Sequence, residues 1–203
     1  MFRYLPNLLS FLRLSLVLPI SVSLLSNDVL LALSLFLVAG VTDALDGRLA
    51  RKFRWETHLG SVIDPLADKV LVAGIVLVFT YQGHIPVWLA VIALGRDGLI
   101  LIGAAFYRFF LGAFEVQPSL VSKANTALQI ITLVLLLLFV VIDSQTLQFL
   151  NLGNDHKFTE ALASLLDPYV FGLSASLSIV SGIHYLYIWL PRLLVGTHTG
   201  NSK

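Results

Sequence analysis

Six long apolar runs, parted by polar breaks, leave this chain few folds to choose from. They cover Leu5–Ser26, Val29–Arg51, Leu59–Tyr81, Pro86–Leu111, Leu120–Ile142 and Pro168–Leu190. A helix needs about 20 mainly apolar residues to cross a bilayer. Within the hydrocarbon every backbone polar group must be paired inside the protein, so only helices and closed barrels span it. These runs are too long for barrel strands and do not alternate. The predicted fold is all-α, a polytopic membrane protein with six transmembrane helices, and residues 1–203 are read as a single membrane domain.

Composition agrees. Hydrophobic residues make up 57% of the 203, charged residues 12%, and the mean hydropathy is +0.88. That is too apolar for a soluble domain of this size. There is no cysteine, which excludes disulfides, thiolate metal sites and cysteine nucleophiles. The net charge of +1 says little about partners, and no nucleic acid is expected among them. Arg3 precedes the first run, which carries Pro6, Asn7 and an interrupting Arg13, and no small-residue cleavage site follows it. It reads as a retained helix rather than a signal peptide.

Basic residues orient the bundle. With the N-terminus in the cytoplasm, the cytoplasmic loops hold Lys52 and Arg54, and then lie between Arg108 and Lys123. The C-terminus carries Arg192 and Lys203, and the opposite side holds only Lys157 among several carboxylates. This asymmetry follows the positive-inside rule. It predicts an integral protein of a bacterial inner membrane, or of the mitochondrial inner membrane if organellar.

Where the second and third runs meet, the chain places Asp43, Asp46, Asp64 and Asp68 within 26 residues. Charge inside a membrane is costly and marks function by default. Asp43 and Asp46 are three apart and share a helix face. Gly60, Asp64 and Asp68 are each four apart and form one stripe on the next helix. A short loop forces the two helices antiparallel, so the carboxylate pairs converge at the cytoplasmic end. Four carboxylates repel unless a cation neutralises them. Oxygen ligands without His or Cys suit a hard divalent cation, Mg²⁺ or Mn²⁺, with Ca²⁺ as a further bound ion. Gly47 and Gly60 let a ligand approach the backbone, and Arg51 adds a cation for phosphate. A solvated helix end explains Lys52 and Arg54 but not this spacing. An ion-coupled transporter would need charged or polar residues deep in several spans, and outside the cytoplasmic half the sequence has almost none.

The run Asp43–Asp68 resembles, at every position, the signature D-x2-D-G-x2-A-R-x8-G-x3-D-x3-D of the CDP-alcohol phosphatidyltransferases. The resemblance implies a six-span membrane enzyme, commonly dimeric, that displaces CMP from a CDP-linked lipid with an alcohol. It implies metal and pyrophosphate binding by Asp43, Asp46 and Asp64, with Asp68 as the general base beside the metal. Gly47, Ala50, Arg51 and Gly60 would line the CDP site, and Asn7 either meets the nucleotide or caps its helix. Beyond the signature, Pro6–Ser10 with Arg13, Leu59–Lys69, Arg96-Asp97 and Ser122–Ala127 are most similar to the CMP-forming cardiolipin synthases. That likeness makes phosphatidylglycerol the expected acceptor and CDP-diacylglycerol the donor. Arg96, Lys123 and Lys69 are then candidates for the acceptor phosphate. The alternative acceptor is glycerol-3-phosphate, giving phosphatidylglycerophosphate.

Overall fold

The computed structural model describes residues 5–53, 60–110, 119–143 and 156–196, and the side chains of 8–43, 66–105, 119–143 and 160–187 among them. These residues form seven α-helices and one π-helical segment, with no strand among them. The helices are α1 (Leu5–Leu25), α2 (Val29–Phe53), α3 (Gly60–Tyr81), α4 (Val87–Phe110), α5 (Leu120–Asp143), α6 (His156–Ser164) and α7 (Phe171–Gly196). The π segment, Leu165–Val170, joins α6 to α7. Six of the helices match the six apolar runs. The stretch from Asp143 to Asp167, read from sequence as a polar break, instead carries α6 and the first half of the π segment.

Among the described residues, four helical stretches are long and apolar enough to cross a membrane: Leu8–Leu25, Val87–Ala105, Leu120–Asp143 and Glu160–Tyr187. A shorter apolar stretch, Val29–Asp43, lies in α2, where Asp43, Asp46, Arg48 and Arg51 make the end polar. The protein is an all-helical integral membrane protein.

The chain forms two compact units, residues 1–86 with 133–163, and residues 87–132 with 164–203. In the first, α1 packs on both α2 and α3. Its turns are specified locally. The amides of Asn27 and Asp28 donate to the carbonyls of Leu24 and Ser23, and Asn27 takes the left-handed conformation (φ 59°). That pattern closes α1 in a Schellman motif. Asp28 then caps α2 through Oδ1, which accepts from the Leu31 amide at 3.4 Å. Gly83 (φ 82°) closes α3 the same way, with His84 donating to the Phe79 carbonyl. The Gln82 amide donates to the Leu24 carbonyl at 2.8 Å, tying the end of α3 to the end of α1. With Arg13 beside Asp68, Val17 beside Gly74 and Leu24 beside Gln82, α1 and α3 run parallel.

Their approach is close at Gly74. A Cβ there would lie 3.0 Å from Val17 Cγ1 and 3.5 Å from Ser21 Oγ. Alanine would recover up to about 1 kcal/mol of helix propensity, enough to offset a small shift of Val17. Leucine would overpack the seam by about 1–3 kcal/mol. Detergent-phase unfolding is therefore expected to show Gly74→Ala near neutral and Gly74→Leu clearly destabilised. Equal stability of the two would mean that the helices are not close-packed there.

His84, in the turn after α3, stacks edge-on against Phe79 at 5.7 Å. Burial holds its pKa below the ordinary value of 6.5, and the Asp143 carboxylate opposes that only in part. Above pH 6.5 the ring is neutral folded or unfolded, and this contribution is fully present. As pH falls below 6.5, the unfolded chain takes up the proton first, so stability declines until the folded ring protonates too. Melting points read from pH 7.5 to 5 should fall, and His84→Gln should flatten that slope. An unchanged slope in the variant would remove the assignment.

In the second unit, α4 packs on α7, and α7 on the π segment. Leu89, Ala90 and Ala93 of α4 are buried, as are Phe171 and Ala175 of α7. The buried face of α4 then continues into Arg96 and Asp97.

Candidate active site

The buried face of α1 runs through Ser10, Arg13, Ile20 and Leu24, with Val17 half-buried between them. The spacing of three and four residues is one helical stripe. Arg13 is thus placed like a core residue and is 1% exposed. On α2 the buried positions Ala32, Phe36 and Ala39 lead to Asp43, and on α3 Ile75 and Val72 lead back to Asp68. The three faces meet at one point. Arg13 Nη2 lies 2.5 Å from Asp43 Oδ1, and Nη1 donates to Asp68 Oδ1. A charged group in an apolar bundle must be paired. One guanidinium joins the second and third helices through their carboxylates, and the fork geometry of arginine suits it to hold both.

The two carboxylates remain accessible, with side chains 47% and 49% exposed. Both are legible in the sequence, where Arg13 reads as an interruption of the first apolar run and as part of a stretch similar to the cardiolipin synthases, but not as their partner. Its place on the 10–13–17–20–24 stripe was the available signal. Asp46, Gly47, Ala50 and Arg51 lie on α2, Gly60 and Asp64 on α3, and Asn7 on α1, as helical residues. Their side chains lie outside the described residues. Among the described residues no three or more His, Cys, Asp or Glu side chains cluster. Asp43 and Asp68 still fit a hard cation by chemistry, as half-exposed oxygen donors drawn to one point.

A second polar cluster lies in the other unit. The Arg96 side chain is 3% exposed and Asp97 6%, and Nη1 of Arg96 donates to Asp97 Oδ1 at 2.6 Å. Nε and Nη2 donate to Ser181 Oγ at 3.1 and 2.7 Å, and Nη2 also to Ser122 Oγ at 2.5 Å. The stem of Arg96 lies beside Gly182, where a Cβ would be 3.7 Å from its Cγ. Arg96 is therefore much engaged by α5 and α7. Lys123 is exposed on α5, and Lys69 is partly buried on α3 beside Asp68.

The family model of CDP-alcohol phosphatidyltransferase matches residues 3–188. Cardiolipin synthase (CMP-forming) of Rattus norvegicus is 38% identical over 143 residues, 62% of this chain and 47% of that protein. The Homo sapiens protein of the same name is 36% identical over the same shares. The match thus spans about half the length of these relatives. CDP-diacylglycerol–glycerol-3-phosphate 3-phosphatidyltransferase of Aquifex aeolicus is 33% identical over 193 residues, 94% of each chain. With the family model matched from the first helix into the last and the signature aspartates at the ends of α2 and α3, the chain belongs to the CDP-alcohol phosphatidyltransferase family.

Proposed function

We propose that this chain transfers a phosphatidyl group from CDP-diacylglycerol to phosphatidylglycerol, forming cardiolipin and releasing CMP. The observation that carries the reaction class is the convergence of Asp43 and Asp68, from successive helices, on the buried Arg13. Relatives named CMP-forming cardiolipin synthase, at 35–38% identity, support the acceptor.

Asp68 is assigned as the general base. It takes the proton from the acceptor's primary hydroxyl as that oxygen bonds to the phosphorus bearing the diacylglycerol group. The bond from that phosphorus to the CMP oxygen breaks, and CMP leaves with the electron pair. Asp43, with Asp46 and Asp64, would hold a divalent cation beside the diphosphate, and Asp68 would complete its ligands. When bound, that ion neutralises charge on the diphosphate and the leaving group. Arg13 fixes the base relative to Asp43, because positioning carries much of phosphoryl-transfer catalysis. Gly47, Ala50, Arg51, Gly60 and Asn7 are assigned to the CDP moiety, and Arg96, Lys123 and Lys69 to the acceptor phosphate. The loop charges support a site at the cytoplasmic face.

The Aquifex relative, matched over nearly its whole length, supports a second reading with glycerol-3-phosphate as acceptor. One assay separates the two. The purified chain in lipid–detergent micelles receives CDP-diacylglycerol and Mg²⁺, with each acceptor offered alone. Cardiolipin and CMP from phosphatidylglycerol are expected. Product from glycerol-3-phosphate alone would move the chain to the second reading, and CMP from neither acceptor would refute both.

A further inference from the structure

The second unit contains a polar seam that packing alone does not explain. On α5, Ser122, Asn125, Gln129 and Thr132 are all buried, spaced three, four and three. On α7, Ser174, Ser178 and Ser181 are buried, spaced four and three. The two stripes pair antiparallel: Thr132 with Ser174 at 3.0 Å, Asn125 with Ser178 at 3.0 Å, and Ser122 with Ser181 through Arg96. From Ser122 to Thr132 the seam rises about 15 Å, half the hydrocarbon thickness. Hydroxyls that bond across helices are ordinary glue in membrane bundles.

Two amides break that account. Asn125 is 2% exposed and Gln129 8%, yet Nδ2 of Asn125 and Nε2 of Gln129 have no hydrogen-bond partner among the described residues. Each such buried group has lost its hydration with nothing to offset the loss. They stand one turn apart on one face of α5. Oδ1 of Asn125 is already taken by the Ser178 hydroxyl. Rotating that amide would exchange its ends and still leave one polar atom unspent. A hydroxyl, which both donates and accepts, satisfies either orientation.

We propose that Asn125 and Gln129 bind the glycerol hydroxyl and phosphate oxygens of a glycerophosphate headgroup, next to Arg96 in the same unit. This deepens the functional reading above, on which the headgroup's role as acceptor rests. The chemistry is shared by a lipid-borne glycerophosphate and by free glycerol-3-phosphate.

The test reads binding without turnover. Thermal unfolding of the full chain in neutral detergent is followed with added phosphatidylglycerol, with glycerol-3-phosphate, and with phosphatidylcholine as control, all without CDP-lipid. The variants are Gln129→Met, which keeps the volume, and Asn125→Leu with Ser178→Ala, which removes both bonded partners. Without ligand each variant should melt no lower than wild type, since an unsatisfied group has been removed. Phosphatidylglycerol should stabilise wild type over the control, and its apparent affinity should fall about tenfold in the variants, the size of one lost hydrogen bond. The same loss confined to glycerol-3-phosphate would support the site with the soluble source. Equal stabilisation of wild type and variants, or no stabilisation of wild type by either glycerophosphate, would overturn it. A ligand-specific shift lost in the variants, alongside failed turnover in the acceptor assay, would sink the proposed reaction but not the binding site.

Discussion

Arg13→Met is expected to lower turnover by at least about 100-fold while changing stability by less than about 2 kcal/mol. The two magnitudes have different origins. Removing one partner of a buried ion pair is costly when the charge left behind is buried. The carboxylates left by Arg13→Met are 47% and 49% exposed and can be hydrated, while the desolvation cost of the guanidinium disappears. Misplacing catalytic groups by about 1 Å can cost about 100-fold in rate. Without the guanidinium, Asp43 and Asp68 repel each other and their helices lose the link that draws both to α1. The reverse experiment sharpens the point. Asp43→Ala with Asp68→Ala strips the 1%-exposed guanidinium of two anionic partners, and stability should drop by about 3 kcal/mol. Paired unfolding and CMP-release measurements check both variants. An active Arg13→Met enzyme would reduce the ion pair to a packing device.

Asp68→Asn should abolish most turnover and leave the fold intact. The amide retains an oxygen for Arg13 Nη1, so the tie between α1 and α3 survives. What is lost is the proton acceptor, and general base catalysis is worth about 10²–10⁴-fold. The melting point should stay near that of wild type, and the apparent affinity for CDP-diacylglycerol should change little. If the variant instead lost CDP-lipid affinity with turnover preserved at saturation, Asp68 would serve the donor and not the acceptor hydroxyl.

Helix existence was legible because membrane spans are written in long apolar runs, and the breaks at Asn27-Asp28 and Gln82–His84 are real turns with left-handed residues. The helix before Pro168 was not legible. His156, Lys157, Glu160 and Asp167 made that stretch look like loop, although α6 puts the first three on a helix. The aspartates were legible through their fixed spacing. Arg13 was not, because a charge within an apolar run reads as an interruption until the stripe beneath it is counted. The seam of Asn125 and Gln129 was hidden for another reason. Single amides in a span carry no meaning until the partner helix shows which of their atoms are satisfied.

The tie between Arg13 and two later helices also bears on biogenesis. Helix α1 emerges before α2 and α3 and carries a cation whose insertion alone costs about 2.5–3.5 kcal/mol at the centre of a bilayer. Its first described counter-charge, Asp43, arrives only with α2, and Asp68 only with α3. The N-terminal hairpin is thus held back from a settled depth until the third helix has been made. A ribosome stalled before residue 68 would leave α1 the least committed segment of the nascent chain, and the one most open to extraction.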